Sequence, residues 1–308
     1  MLTRRQLLIA GGTAAAAAAG VSFYGFLVEP HWVELVRRPM PLEHLPPELA
    51  GRTLLQLSDL HVGSSVSSDY LMRVLREAQS LAPDFVVITG DFVSYRSARE
   101  YRELARVLAT MPKGRLGTVA SLGNHDYGLA WHELDVADQV TRVAADAGAT
   151  VLRNEVRTIG GLQFLGLGDY WSPEFAPSGG APRGLFSPRP AARDPFASRD
   201  DAPSVIRELA PSMPTVVLNH NPDAQDESIW NDVRGWVLAG HTHGGQVKPP
   251  FLPPPLLPVR NRRYTAGAFD VGPGRTLYVN RGLGHLIRVR FNVRPEITLF
   301  TLEPSRDA

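Results

Sequence analysis

The sequence predicts an α/β fold, on three observations. Short apolar runs recur with the length of buried strands. Helix-period stretches alternate with them through the first half of the chain. Polar residues rich in Asp and His follow the runs directly, so they would gather at one edge of a sheet. Of the 308 residues, 44% are hydrophobic and 20% charged, enough for a sizeable core.

In chain order, Thr3–Arg4–Arg5–Gln6–Leu7–Leu8 sets an arginine pair before an uncharged run ending at Val28. This reads as a twin-arginine export signal, either cleaved or kept as a membrane anchor, over residues 1–28. Residues 29–50, rich in Pro and Glu, read as a linker, and a single domain is expected over 51–304. Thr53–Leu57 is a predicted strand ending at Ser58–Asp59–Leu60–His61. A helix is expected from about Asp69 to Leu81. Phe85–Thr89 is a strand ending at Gly90–Asp91, and a helix follows from about Ala98 to Thr110. Thr118–Ser121 ends at Gly123–Asn124–His125–Asp126, before a helix from about Glu133 to Ala147. Short strands are expected at 151–153, 156–158 and 162–167. The Pro/Gly/Ser/Arg-rich stretch from Tyr170 to Pro203 reads as a long surface loop bordering a site. Thr215–Leu218 ends at Asn219–His220, and Gly235–Ala239 ends at GHTHGGQV. Strands at 276–279 and 297–302 complete the pattern.

In an extended chain, His241 and His243 would point the same way, as a metal-binding pair or as two solvated loop histidines. The wider pattern favours the metal. Five of the nine histidines fall at strand ends, together with Asp59, Asp91 and Asn124, whereas His31, His44, His132 and His285 do not. With no cysteine, neither disulfides nor thiolate ligands are available. The net charge of +1 gives no general argument for nucleic acid. Eight arginines between Arg260 and Arg294 read as a scattered surface set or as a face toward phosphates or an anionic membrane.

The ordered motifs D-L-H, G-D-F, G-N-H-D, N-H and G-H-T-H resemble the calcineurin-like metallophosphoesterase superfamily. GLGDYW, NHNPD, GHTHGGQV, YVNRGLG and VRFNVRPEITLFTL resemble its YkuE-like exported bacterial phosphodiesterase branch. The resemblance implies a four-layer αββα sandwich of two mixed sheets flanked by helices. It also implies two divalent ions, manganese ahead of iron, zinc, nickel or cobalt. Asp59, His61, Asp91 and His243 would hold the first ion. Asp91, Asn124, His220 and His241 would hold the second, with Asp91 shared. A hydroxide bridging the ions would attack phosphorus. His125 would protonate the leaving group, and Asp126 would orient His125.

Arg281 is expected either to bind a phosphate oxygen or to be a sheet-edge surface arginine. Asp169 and Asn221 would help shape the site. The apolar loop Phe251–Pro258 reads as a rigid cover or as a contact for a lipid-linked substrate. Ser94 stands where purple acid phosphatases carry an iron-binding tyrosine, which argues against that branch. The expected activity is a phosphodiesterase. Its rivals are a pyrophosphohydrolase on a lipid-linked nucleotide or sugar diphosphate, a phosphomonoesterase, and a scaffold without catalysis. A phosphate ester is the expected partner and the N-terminal segment gives membrane association. Nucleic acid is disfavoured and no protein partner is predicted. The place of action is the periplasm or the outer face of the cytoplasmic membrane.

Overall fold

The fold is described from a computed structural model over residues 3–63, 65–95, 97–175, 202–230 and 232–305. Its strands are β1 (Glu34–Leu42), β2 (Thr53–Leu57), β3 (Phe85–Thr89), β4 (Gly117–Ser121), β5 (Thr150–Val151), β6 (Glu155–Ile159), β7 (Leu162–Gly166), β8 (Thr215–Leu218), β9 (Gly235–Ala239), β10 (Gly267–Asp270), β11 (Arg275–Val279) and β12 (Glu296–Pro304). The helices are α1 (Arg4–Phe23), α2 (Ser68–Gln79), α3 (Arg99–Leu108), α4 (Leu134–Asp146) and α5 (Ala202–Ile206).

The strands make two six-stranded mixed sheets. The first has the order β1-β12-β2-β3-β4-β5 and the second β10-β11-β9-β8-β7-β6. In each, three successive parallel strands form the middle: β2, β3 and β4 in one, β7, β8 and β9 in the other. Two-residue alternation explains why these runs are apolar throughout. Leu54, Phe85, Val87 and Val119 face the second sheet, where they meet Phe164, Val216, Leu218 and Leu238. Leu55, Val86, Ile88 and Ala120 face the other way, onto apolar residues of α2, α3 and α4. A strand buried on both faces has no polar stripe to show. The outer face of the second sheet is covered by α5 and by loops carrying Tyr170, Phe175 and Trp230. The described residues therefore bear out the expected pair of mixed sheets flanked by helices.

The linker expected at 29–50 is corrected in part. Residues 34–42 are β1, paired in parallel with β12 from Glu34↔Glu296 to Leu42↔Pro304. Pro39 and Pro41 gave this segment its linker composition, and an edge strand tolerates proline because one row of its N–H groups faces away from the sheet. Strand β10 was also missed; its residues alternate between half-buried and exposed. Most of the Tyr170–Pro203 loop lies outside the described residues. At the N-terminus, the helical stretch Arg4–His31 is 28 residues long, apolar enough to cross a membrane, and unburied over its apolar window.

Candidate metal centre

The two sheets bring the ends of their central strands to one edge of the sandwich. Asp59 and His61 follow β2, Asp91 follows β3, and Asn124 with His125 follows β4. His220 follows β8, and His241 with His243 follows β9. Asp59, His61, Asp91, Asn124, His220, His241 and His243 are all buried. The expected extended backbone at His241 and His243 is corrected. They have φ values of 69° and 49°, and Asp59, His61 and Asp91 lie at 53°, 48° and 53°. Side chains other than glycine rarely adopt this left-handed conformation, and it concentrates at functional sites. The ligand edge is thus built from bent strand ends, and each histidine still faces the centre.

Within the first donor group, His61 Nε2 lies 3.0 Å from His243 Nε2. Asp59 Oδ1 lies 3.3 Å from His243 Nε2 and 3.9 Å from His61 Nε2. The second group joins Asp91, His220 and His241, with His220 Nε2 at 3.2 Å from Asp91 Oδ2. In both groups, and in a third made of His61, Asp91 and His125, all ligand atoms fall within 4.8 Å of one another. Asp91 Oδ2 also lies 3.4 Å from His61 Nε2, so this carboxylate links the two. Asn124 Oδ1 lies 3.0 Å from His241 Nδ1. Each group draws residues from both sheets.

The electrostatics suit cations. Burial pushes His61 and His241 down to about 3 and holds His243 well below its usual range. Their lone pairs are therefore available, as metal binding requires. Burial raises Asp59 to about 6. Asp91 would also be raised by burial, but the neighbouring charges of His220 and His125 outweigh that and hold it well below the usual carboxylate range. His220 Nδ1 donates to the Thr89 carbonyl at 2.6 Å, which presents Nε2 to Asp91. Burial would lower the His220 pKa, but the charge of Asp91 3.2 Å away outweighs it and holds His220 well above its usual range, so the ring carries positive charge toward Asp91 at the place a divalent cation would take. The donor set of imidazole, carboxylate and amide oxygen fits divalent transition ions.

The remaining expected site residues divide. His125 is half-buried, and its ring meets His61 edge-on at 5.0 Å. Its backbone N–H donates to Asp91 Oδ1. Asp126, expected to orient His125, accepts with its two oxygens from the backbone N–H groups of Val93 and Gly123. Asp126 thereby ties the ends of β3 and β4 together. Arg281 is also corrected. Its guanidinium pairs with Glu296 and, at 3.0 Å, with Glu34, so two carboxylates occupy the fork that a phosphate would need. Asn221 Nδ2 lies 3.3 Å from His241 Nε2. Asp169 is buried and raised to about 7, chiefly by burial.

Three supports escaped the sequence reading. Trp131 and Trp171 stack at 4.9 Å, and this pair joins His125, 6.1 Å from Trp131, to His241, 4.5 Å from Trp171. Trp171 lies in the quoted GLGDYW motif, but Trp131 carries no motif signal. The third is Arg290, fully buried, which donates to the carbonyls of Arg281, Gly282, Gly284 and Val293. It secures the 281–284 turn, whose Leu283 and Gly284 N–H groups bond Ser58 and Asp59.

Comparison with known proteins agrees with this geometry. The family model described as calcineurin-like phosphoesterase matches residues 52–245, which carry all seven buried donors. The phosphodiesterase YaeI of Escherichia coli is 28% identical over 98% of this chain and 100% of its own. The metallophosphoesterase YkuE of Bacillus subtilis is 29% identical over 98% of both. The UDP-2,3-diacylglucosamine pyrophosphatase LpxG of Chlamydia muridarum is 28% identical over 88% of this chain and 90% of its own. Fold, donor geometry and family match agree that the chain belongs to the calcineurin-like phosphoesterase family and is a metal-dependent hydrolase of phosphoric esters.

Proposed function

We propose that the protein is an exported phosphodiesterase with a two-ion centre. The observation that carries this reading is the pair of donor groups meeting on Asp91. Asp59, His61, Asp91 and His243 hold one ion, and Asp91, Asn124, His220 and His241 the other. Manganese is the first candidate, with iron, zinc, nickel and cobalt compatible with the same donors. Bound there, the ions supply Lewis-acid charge for the phosphoryl oxygens and make a nucleophile from water near neutral pH. His125 holds the proton that passes to the leaving oxygen as the P–O ester bond breaks. Its half-buried ring meets solvent on one side and His61 on the other. The Trp131–Trp171 pair walls this side of the centre and limits water there. The arginine pair Arg4–Arg5 and the apolar helix support twin-arginine export with the helix kept as an anchor.

Likeness over the full length to a relative named as a phosphodiesterase supports the diester. A second reading, a pyrophosphohydrolase on a lipid-linked diphosphate, is favoured by the exposed apolar loop at Phe251, Leu252 and Leu256. A relative carrying a pyrophosphatase name supports it too. The test uses the full chain purified without chelator. Two metal ions per chain and faster hydrolysis of bis(p-nitrophenyl) phosphate than of p-nitrophenyl phosphate are expected. Activity on the monoester alone would overturn the diester reading. His125→Ala should keep both ions yet slow esters with poor leaving groups by about 10²- to 10³-fold, and p-nitrophenyl esters far less. Loss of metal in that variant would make His125 a ligand instead.

A further inference from the structure

Several large apolar side chains stand in solvent beside the metal centre. Phe251 is fully exposed, Leu256 is 74% exposed and Ile287 63%, with Leu252 and Leu286 also exposed. Isolated cases are ordinary on a protein surface, but a contiguous apolar patch marks a contact. Here the two segments that carry them share one neighbour. Both segments lie against the turn that follows His243. A side chain on Gly245 would meet Pro254 at 2.3 Å and Leu256 O at 2.9 Å. The Gln246 amide donates to the carbonyls of Ile287 and Val289 and accepts from Leu286 N–H. The loop beyond is tied to the centre itself, because Pro258 O lies 2.8 Å from His241 Nε2.

The N-terminal helix docks just beyond the second segment, and its Phe23, Phe26 and Leu27 are exposed. Gly25 O accepts from Arg290 N–H, and Tyr24 meets Phe291 edge-on. At the end of this helical stretch Glu29 is buried, and its carboxylate accepts from the N–H groups of Asn292 and Val293. The helix exit is thus fixed to the segment that carries Leu286 and Ile287. Exposed Arg288 directly follows Ile287.

We propose that residues 251–256 and 286–287, continuous with the end of the N-terminal helix, form one face that enters a lipid bilayer and holds the mouth of the metal centre at the headgroup layer. This rests on reading that helix as a retained span. Length selects the bilayer as the occupant: the uncharged helical residues from Gln6 to Val28 suffice for a core of about 30 Å, and their exit places the neighbouring tips at the same surface. Charge agrees, since an arginine beside an apolar tip pairs with anionic headgroups. The substrate class that follows is an amphiphilic phosphate ester, presented with its apolar portion in the membrane and its phosphorus at the sheet edge.

The chain has no cysteine, so single cysteines can report position. Four variants of the full chain, Leu27→Cys, Phe251→Cys, Ile287→Cys and Leu116→Cys, would each carry the same environment-sensitive fluorophore. They would be reconstituted into phosphatidylcholine–phosphatidylglycerol vesicles with brominated acyl chains. Leu116 is exposed and precedes β4, at the edge opposite the ligands, and it controls for the dye's own affinity for lipid. Quenching at 27, 251 and 287, but not at 116, is the expected result. Quenching at 27 alone would overturn the proposed face while leaving the span. An unquenched label at 27 would remove both. Quenching of only one of the two tips would overturn the single continuous face.

Discussion

Two aspartates flank strand β3 and have opposite surroundings. Asp84, just before it, is saturated with partners. Its carboxylate accepts from Thr53 N–H and Oγ1, from Arg52 at 3.3 Å and from Arg115 at 2.8 Å. Asp91, two residues past the other end, has left-handed backbone and faces the imidazoles of His61 and His220. Both are buried. A carboxylate surrounded by fixed cations and amides is a fastening. One that faces His61, held neutral by burial, and His220, held cationic by the carboxylates around it, sits where a divalent ion would take the place of the His220 proton. The sandwich therefore has a self-sufficient edge and an edge completed by metal.

The largest effect that sharpens this contrast comes from Asp91→Asn. It removes the charge shared by both donor groups, and activity should fall on the order of 10³-fold or more. Metal analysis should show fewer than two ions per chain. The fold should persist, since the inter-sheet core does not include this residue. Near-normal metal content with normal turnover would remove Asp91 from the centre.

A smaller effect tests the seam between the sheets. Gly240 directly follows β9 of the second sheet, and a Cβ there would meet Ser58 Oγ at 2.0 Å and Asp59 Oδ2 at 2.2 Å, both directly after β2 of the first sheet. Each donor group mixes the two sheets, so glycine at this point lets them close on each other. Gly240→Ala should displace Asp59 and lower activity on the order of 10²-fold. It should cost about 1–3 kcal/mol of stability, read from urea unfolding. Unchanged activity in a stable variant would show that Asp59 can move without consequence.

Much of this was legible in the sequence because of one physical regularity. Strands β2, β3, β4, β8 and β9 are buried on both faces, so they appear as largely apolar runs without a polar stripe, and the donors sit just past their ends. Side-chain partnership was not legible. The partner Glu34 of Arg281 is 247 positions away, on a strand that proline disguised, so neither the phosphate contact nor the sheet-edge surface reading of Arg281 included it. Asp126 was paired with its neighbour His125, although its bond to Val93 spans 33 residues. Trp131 and Trp171 meet only because β4 and β7 end at the same edge of the sandwich. Local pattern reveals which residues end a strand, but not which long-range contact a charged group will take.

The smallest effect belongs to Asp84, and it tests the claim that this edge is only structural. Asp84→Asn should leave metal content and turnover unchanged. It removes a charge that supports four hydrogen bonds, two of them from half-exposed arginines that water can partly compensate. About 1–2 kcal/mol of stability should be lost at neutral pH. The acid dependence gives the sign. Burial would raise the Asp84 pKa, but Thr53 and the two arginines outweigh it, so the folded value lies below the unfolded one. A depressed folded pKa stabilises fully at pH above the unfolded value, about 3.9, and that stability disappears as pH falls through the folded value. Wild type and Asp84→Asn should therefore differ in urea midpoint at pH 7 and converge in acid. A gap that widened toward low pH would mean that Asp84 is protonated in the folded chain, and the contrast between the two ends of β3 would fail.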